Sequence, residues 1–203
     1  MTVLDHVSFV PTKVGIDCFD TLSSRFTVRD VHAKVSYGKT REAILVETPP
    51  LRIPFGVVPF KIDGRPESFS VNLSLKGTDV EVETFRRKIK ELDAIFEYKS
   101  KLFFGEEKSR TMTYIPLINS DTLRIRVPYD RSSQKFGCKF FDARRSEISF
   151  DAVTSQSFGV SLLELSNLWT YQNFFGLKFS LIRLDLVLPP GNETPVEDLI
   201  KFW

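Results

Sequence analysis

Residues 169 to 188 read WTYQNFFGLKFSLIRLDLVL, and the way this stretch alternates decides what the chain can build. Trp169, Tyr171, Phe174 and Phe175 precede Gly176, which lets the backbone turn, and Lys178 to Leu188 then reads as one long strand. Ser180, Ile182, Leu184, Leu186 and Leu188 share one face of that strand. Phe179, Leu181, Arg183, Asp185 and Val187 share the other. A mixed second face meets either another core layer or a wet groove. In the first case the rings seal the entry to a central strand; in the second, some of them join Lys178 and Arg183 on an open surface.

Outward from this stretch, Leu162, Leu163, Leu165 and Leu168 form a short apolar element that follows a strand at Phe150. Before that, KFGCKFFDARR at 135 to 145 interleaves rings with cations, as a groove tracking a charged backbone requires. Leu123, Ile125 and Val127 alternate with Arg124 and Arg126, so two arginines share one strand face after a turn at Asn119, Ser120 and Asp121. Met112 to Ile118 reads as a strand. Phe69, Val71, Leu73 and Leu75 alternate with Ser70, Asn72, Ser74 and Lys76, the cleanest half-buried strand in the sequence.

Between these strands lies a helix, expected over about 79–98. Thr78 with Glu81 has the form of a capping box, and Val82, Phe85, Ile89, Leu92 and Phe96 recur at helical spacing. Arg86, Arg87, Lys88 and Lys90 fall largely off that stripe, as a solvated face or as phosphate contacts. Further back, EAILVE at 42 to 47 is a compact apolar run, and LRIPFGVVPF carries Pro54 and Pro59 at intervals that suit an edge strand or a packed loop. Val3 to Val10 and Phe26 to Val35 are β-like runs.

A chain of 203 residues with 42% hydrophobic and 27% charged content can bury a core without disulfides. Its 19 Phe are the compositional anomaly. Net charge is only +2, but residues 84 to 145 hold 15 Lys+Arg against 8 Asp+Glu, which favours an anionic partner for one face. Cys18 and Cys138 are too few for a disulfide framework, and there is no secretory leader or long apolar span, so a reducing, intracellular setting is expected.

His6 and His32 lie in no metal-binding or nucleophile-activating spacing, and no phosphate-cradling glycine loop is present. Asp17 with Asp20 could hold a divalent ion, but they sit in a loop. Asp79, Glu81 and Glu83 suit the acidic first turn of a helix. No catalytic residue, metal or cofactor is expected, and the chain reads as a non-enzyme.

Taken in order, FRRKIKELDAIFEY at 85 to 98, SKLFFGEE at 100 to 107, YIPLINSDTLRIRVP at 114 to 128 and LWTYQNFFGLKFSLIRLDLV at 168 to 187 resemble a known family. These are the OB-like single-stranded DNA-binding proteins of nucleocytoplasmic large DNA viruses, of the African swine fever virus type. The order matches over about 120 residues, without a catalytic signature, and residues 1 to 65 lie outside it. The resemblance implies a mainly β, antiparallel barrel or sandwich with one principal helix, spanning 1–190 and followed by a tail at 191–203. It also implies sequence-independent binding of single-stranded DNA, or of RNA, in viral replication, repair or recombination. Its site would draw on Lys99, Lys101, Phe103 and Phe104 in the turn and on Arg124 and Arg126. To these it would add Lys135, Lys139, Phe140 and Arg144, then Trp169, Phe175 and Lys178. The tail NETPVEDLIKFW resembles the acidic, aromatic-ended termini through which single-strand binders dock replication proteins; packing back on the domain is its other reading. Such a protein would work at sites of viral replication in host cytoplasm or nucleus, or travel in the virion. The competing class is a structural or protein-interaction β-domain in which every extra Phe is core.

Overall fold

In the computed structural model, residues 2–16, 32–37, 44–60 and 68–188 are described. Five strands among them close into a ring: β1 (Leu51–Ile53), β2 (Ser68–Ser74), β3 (Thr122–Val127), β4 (Ser157–Tyr171) and β5 (Phe174–Val187). β1 pairs β2, β2 pairs β3 and β4 pairs both β1 and β5, all antiparallel; β3 lies parallel to β5, with Arg126 opposite Ser180. The result is an OB-like, mainly β barrel, closed rather than opened into a sandwich. Leu73, Leu123, Ile125, Leu163, Leu165, Phe179, Leu181 and Leu184 are fully sealed within its core.

Shorter strands extend the ring. Ile44–Glu47 pairs β4 and carries Thr2–Asp5 parallel beside it, and His32–Tyr37 pairs β4 nearer the hairpin tip. Val57–Phe60 pairs β2, while Thr113–Ile115 and Lys139–Phe141 lie parallel to β5 at its two ends. The Pro-rich segment thus supplies both a barrel strand and an edge strand.

Between β2 and β3 the chain forms α1 (Val80–Phe104), longer than the sequence spacing predicts. Its stripe of Val82, Phe85, Ile89, Leu92 and Phe96 joins the barrel's core. The cap is Asp79 rather than Thr78: its carboxylate accepts from the Glu81 and Val82 amides at 2.8 and 3.3 Å, a contact worth about 1 kcal/mol. The segment read as a turn, 100–104, is the last helical turn, and Gly105 at φ 76° ends it.

Two one-residue register shifts reorganise β4 and β5. Leu165 faces Phe179 but Asn167 faces Lys178, which leaves Ser166 unmatched on β4. Leu163 faces Leu181 but Leu162 faces Arg183, which leaves Ile182 unmatched on β5. Side-chain parity reverses at each shift. Phe175, Leu177, Phe179 and Leu181 therefore point inward before Ile182, and Leu184 points inward after it. The sequence reading put Leu184 on the core face but assigned Phe179 and Leu181 to the other; the Ile182 shift lets both faces serve the core in turn.

Three further expectations change. Gly176 lies within β5, and the turn is at Gln172 and Asn173, with Gln172 at φ 52°. Leu162 to Leu168 belong to the fifteen-residue β4 rather than a short element, and Phe150–Ala152 is a 3-10 turn. Met112 to Ile118 breaks at Pro116 into Thr113–Ile115 and Ile118–Asn119. Phe26, Asp17, Asp20, Cys18 and the 191–203 tail lie outside the described residues. Cys138 is buried, and burial pushes its thiol up to about 12, so it stays a protonated core residue at neutral pH.

Candidate nucleic-acid interface

Alternation on β3 buries Leu123, Ile125 and Val127 and leaves Arg124 and Arg126 outside. Antiparallel pairing sets Arg124 opposite Asn72 and Arg126 opposite Ser70 on β2. On the other flank Arg126 lies beside Ser180, so the parallel register carries Arg124 level with Lys178, two residues earlier on both strands. Three cations thus occupy adjoining positions on one outer face. They line an open groove of about 890 Å³ with Trp169 and Tyr171, floored by Ser70, Asn72 and Thr122.

Lys178 is half-buried, and that burial, followed by the charge of Arg126, pulls its ammonium below the usual lysine range. Neither arginine nor Lys178 forms an ion pair among the described residues. This part of the surface therefore holds uncompensated positive charge against a low-dielectric wall, where a phosphate would relieve the repulsion.

Trp169 reaches the groove because of Ser166. Odd-numbered residues of β4 point inward as far as Leu165; after the shift Leu168 and Thr170 are inside, and Trp169 is turned out. The Ser166 hydroxyl bonds the Lys178 carbonyl at 3.1 Å, which ties the shift to the groove. Opposite Trp169 stands Gly176, and the indole N–H donates to the Leu177 carbonyl at 3.1 Å. A Cβ at Gly176 would lie 3.1 Å from the indole Cζ2 and 2.8 Å from the Ile115 carbonyl oxygen. Glycine therefore lets the ring lie close over the backbone, a fixed platform rather than a free rotor. Tyr171 and Phe174, 46% and 41% exposed, continue the aromatic surface to the hairpin tip.

The neighbouring wall, Ile115 to Leu117, is fastened to α1. Asp93 accepts a hydrogen bond from the Tyr114 hydroxyl at 2.6 Å and from the Leu117 amide at 3.0 Å. Burial pushes the Asp93 carboxyl above the ordinary carboxylate range, with those two bonds pulling the other way. The Tyr114 hydroxyl is raised by burial and by the Asp93 charge, so it stays a donor.

Of the residues singled out from sequence, Arg124, Arg126, Trp169 and Lys178 come together here. Lys99 is half-buried on α1 outside the groove lining. Lys101 and Phe103 have helical backbone, and their side chains lie outside the described ones. Lys135 and Arg144 are exposed in the segment before β4, away from the groove lining. Lys139 lies beside Arg183 on the far end of β5 and is bound to Glu147 at 2.9 Å; Arg183 itself holds Asp185 at 2.8 Å.

Phe104, Phe140 and Phe175 cannot be stacking rings: they are 7%, 3% and 1% exposed. Phe104 and Tyr114 pack edge-on against Phe175 at 4.9 and 5.1 Å, contacts worth roughly 0.5–1.5 kcal/mol each. Phe140 faces Leu184 across the sheet and points inward with it. The resemblance implies an exposed ring at each, yet Phe104 ends α1 against the core, and at Phe140 and Phe175 it is the alternate position on the strand that decides. Tyr171 was passed over in favour of Phe175, although it alternates with Trp169 on β4 and so shares its outer face.

No protein-family model matches the sequence, and no curated protein does. Among solved structures, the single-stranded DNA-binding protein of bacteriophage Enc34 in complex with ssDNA superimposes with a TM-score of 0.48 at 12% identity, over 84% of this chain and 97% of that one. The single-stranded DNA binding protein gp2.5 encoded by bacteriophage T7 does so with a TM-score of 0.46 at 12% identity, over 77% of this chain and 94% of that one. Both are phage proteins, so the assignment to the large-DNA-virus family gains no support from them.

Proposed function

We propose that this chain binds single-stranded nucleic acid, DNA in the first instance, without reading its sequence and without altering it chemically. The observation that carries the reading is the groove in which Arg124, Arg126 and Lys178, none of them ion-paired among the described residues, stand beside the anchored indole of Trp169 and the exposed ring of Tyr171. Cations there would take phosphates while the rings take bases, each stacked base contributing about 1–3 kcal/mol. The polar floor offers hydrogen bonds that any base can use. A role in viral DNA replication, repair or recombination follows from the element order that resembles the large-DNA-virus binders, and the 191–203 tail would then serve replication partners.

Fluorescence anisotropy of labelled single strands tests this. Micromolar or tighter binding is expected at low salt, with a log–log salt slope near −2 if three phosphates are neutralised at about 0.7 each. Absence of binding at low salt overturns the reading. The competing class, a protein-interaction β-domain, draws on the burial of Phe9, Phe69, Phe85, Phe96, Phe104, Phe140, Phe175 and Phe179. Core use of those eight rings covers fewer than half of the 19 Phe and leaves unexplained the three cations that have no ion pair among the described residues.

A further inference from the structure

Phe60 ends the edge strand Val57–Phe60 and is 41% exposed, an unusual place for a large apolar ring. Its neighbour Pro59 has no N–H to give, so the edge is poorly suited to accept another strand, and a sheet-pairing role does not explain the ring. The guanidinium carbon of Arg124 sits 4.9 Å from the Phe60 centroid. Arg124 also lines the groove and has no acidic partner among the described residues, so its planar head is laid over a ring rather than tied to a carboxylate.

We propose that Phe60 and Arg124 together form a second stacking station, and that the bound single strand runs obliquely over the barrel strands from there to Trp169. This rests on the function proposed above. Guanidinium planes and aromatic rings both accept bases, and here one is already stacked on the other, which lowers the ordering cost of binding. From Val57–Phe60 the sheet passes through β2, β3 and β5 to β4 and Trp169. Four inter-strand steps make roughly 19 Å across the sheet. The registers set Trp169, opposite Gly176, about six residues or roughly 20 Å further along the strands than Phe60, opposite Ser68. The stations therefore lie about 28 Å apart, or about eight nucleotides at the 3.4 Å rise of a stacked strand and fewer if the strand is extended. Arg126 and Lys178 lie between the two stations, placed for the intervening phosphates.

The test is a length series of unlabelled oligothymidylates, from three to twelve nucleotides, competing with a labelled strand for the wild type, Phe60→Ala and Phe60→Tyr. Phe60→Ala is expected to weaken strands long enough to reach both stations by about five- to a hundred-fold. It should leave trinucleotides unchanged, and Phe60→Tyr should bind as the wild type. Thermal melting of Phe60→Ala at the wild-type temperature is expected, since the ring is exposed. Equal affinities for wild type and Phe60→Ala at every length overturn the second station while leaving the groove intact. Equal losses at every length also overturn it. Failure of the wild type to bind at all removes the function proposed above and the station with it.

Discussion

The outer face of β5 carries the same kinds of residue on the two sides of the Ile182 shift, in two electrical states. Toward the hairpin, Lys178 stands with Arg124 and Arg126, none of them ion-paired among the described residues, and with Trp169 alongside. Toward the far end, Arg183 holds Asp185 at 2.8 Å and the adjacent Lys139 holds Glu147 at 2.9 Å. A polyanion approaching the second region would have to displace a carboxylate for every phosphate it gained; in the first it displaces only water and counterions. Counting cations along the chain therefore misleads, and what matters is which of them are already satisfied.

Four experiments would break or sharpen that contrast. Leu184→Asp, fully buried just past the shift, places an unpaired charge in the core and should cost on the order of 5 kcal/mol, abolishing the cooperative melt. A variant that melted normally would mean the faces of β5 are assigned backwards. Next in size, Arg126→Ala with Lys178→Ala should lower affinity for single strands on the order of a hundred-fold and flatten the salt slope by about 1.4. Lys139→Ala with Arg183→Ala should leave that slope where it was; equal effects of the two pairs would erase the distinction between the regions. Trp169→Ala should lose about 1–3 kcal/mol of binding with little change in salt slope, since a base platform rather than a phosphate contact has gone.

The smallest effect is in pH. Burial and Arg126 depress the Lys178 ammonium in the free protein, and a bound phosphate would raise it again. Binding then takes up protons, and affinity should fall as pH rises through the depressed free-state value, with Lys178→Arg showing a flatter profile. Anisotropy titrations at constant ionic strength read this directly; identical profiles would detach Lys178 from the ligand.

Where alternation is unbroken, sequence and structure agree. Phe69, Val71, Leu73 and Leu75 face in as spaced, and Arg124 and Arg126 face out between buried neighbours. The turn at Ser120 and Asp121, both at positive φ, is legible in the same way. The helix stripe also holds, but its length does not. Phe103 and Phe104 follow Lys99 and Lys101 in a run that looks like a decorated loop, and only the glycine at 105 marks the end. The site was half legible because a register shift leaves no mark in periodicity: nothing in SLLELSNLWTY announces that Ser166 is the unmatched residue, so the inward or outward sense of Trp169 could not be read from its neighbours. Phe140 and Phe175 failed differently, since flanking lysines and aromatics describe composition while burial follows parity.

Ser166 sets the outward sense of the groove's indole by standing outside the ladder. Deleting it would close the bulge and still leave Leu168 inside and Trp169 outside, whereas pairing it into the ladder with no bulge would exchange their places. The largest side chain of the groove would then be driven into the barrel and a leucine set out in water, so it is the bulge, rather than the number of residues, that separates an aromatic platform from a bare sheet.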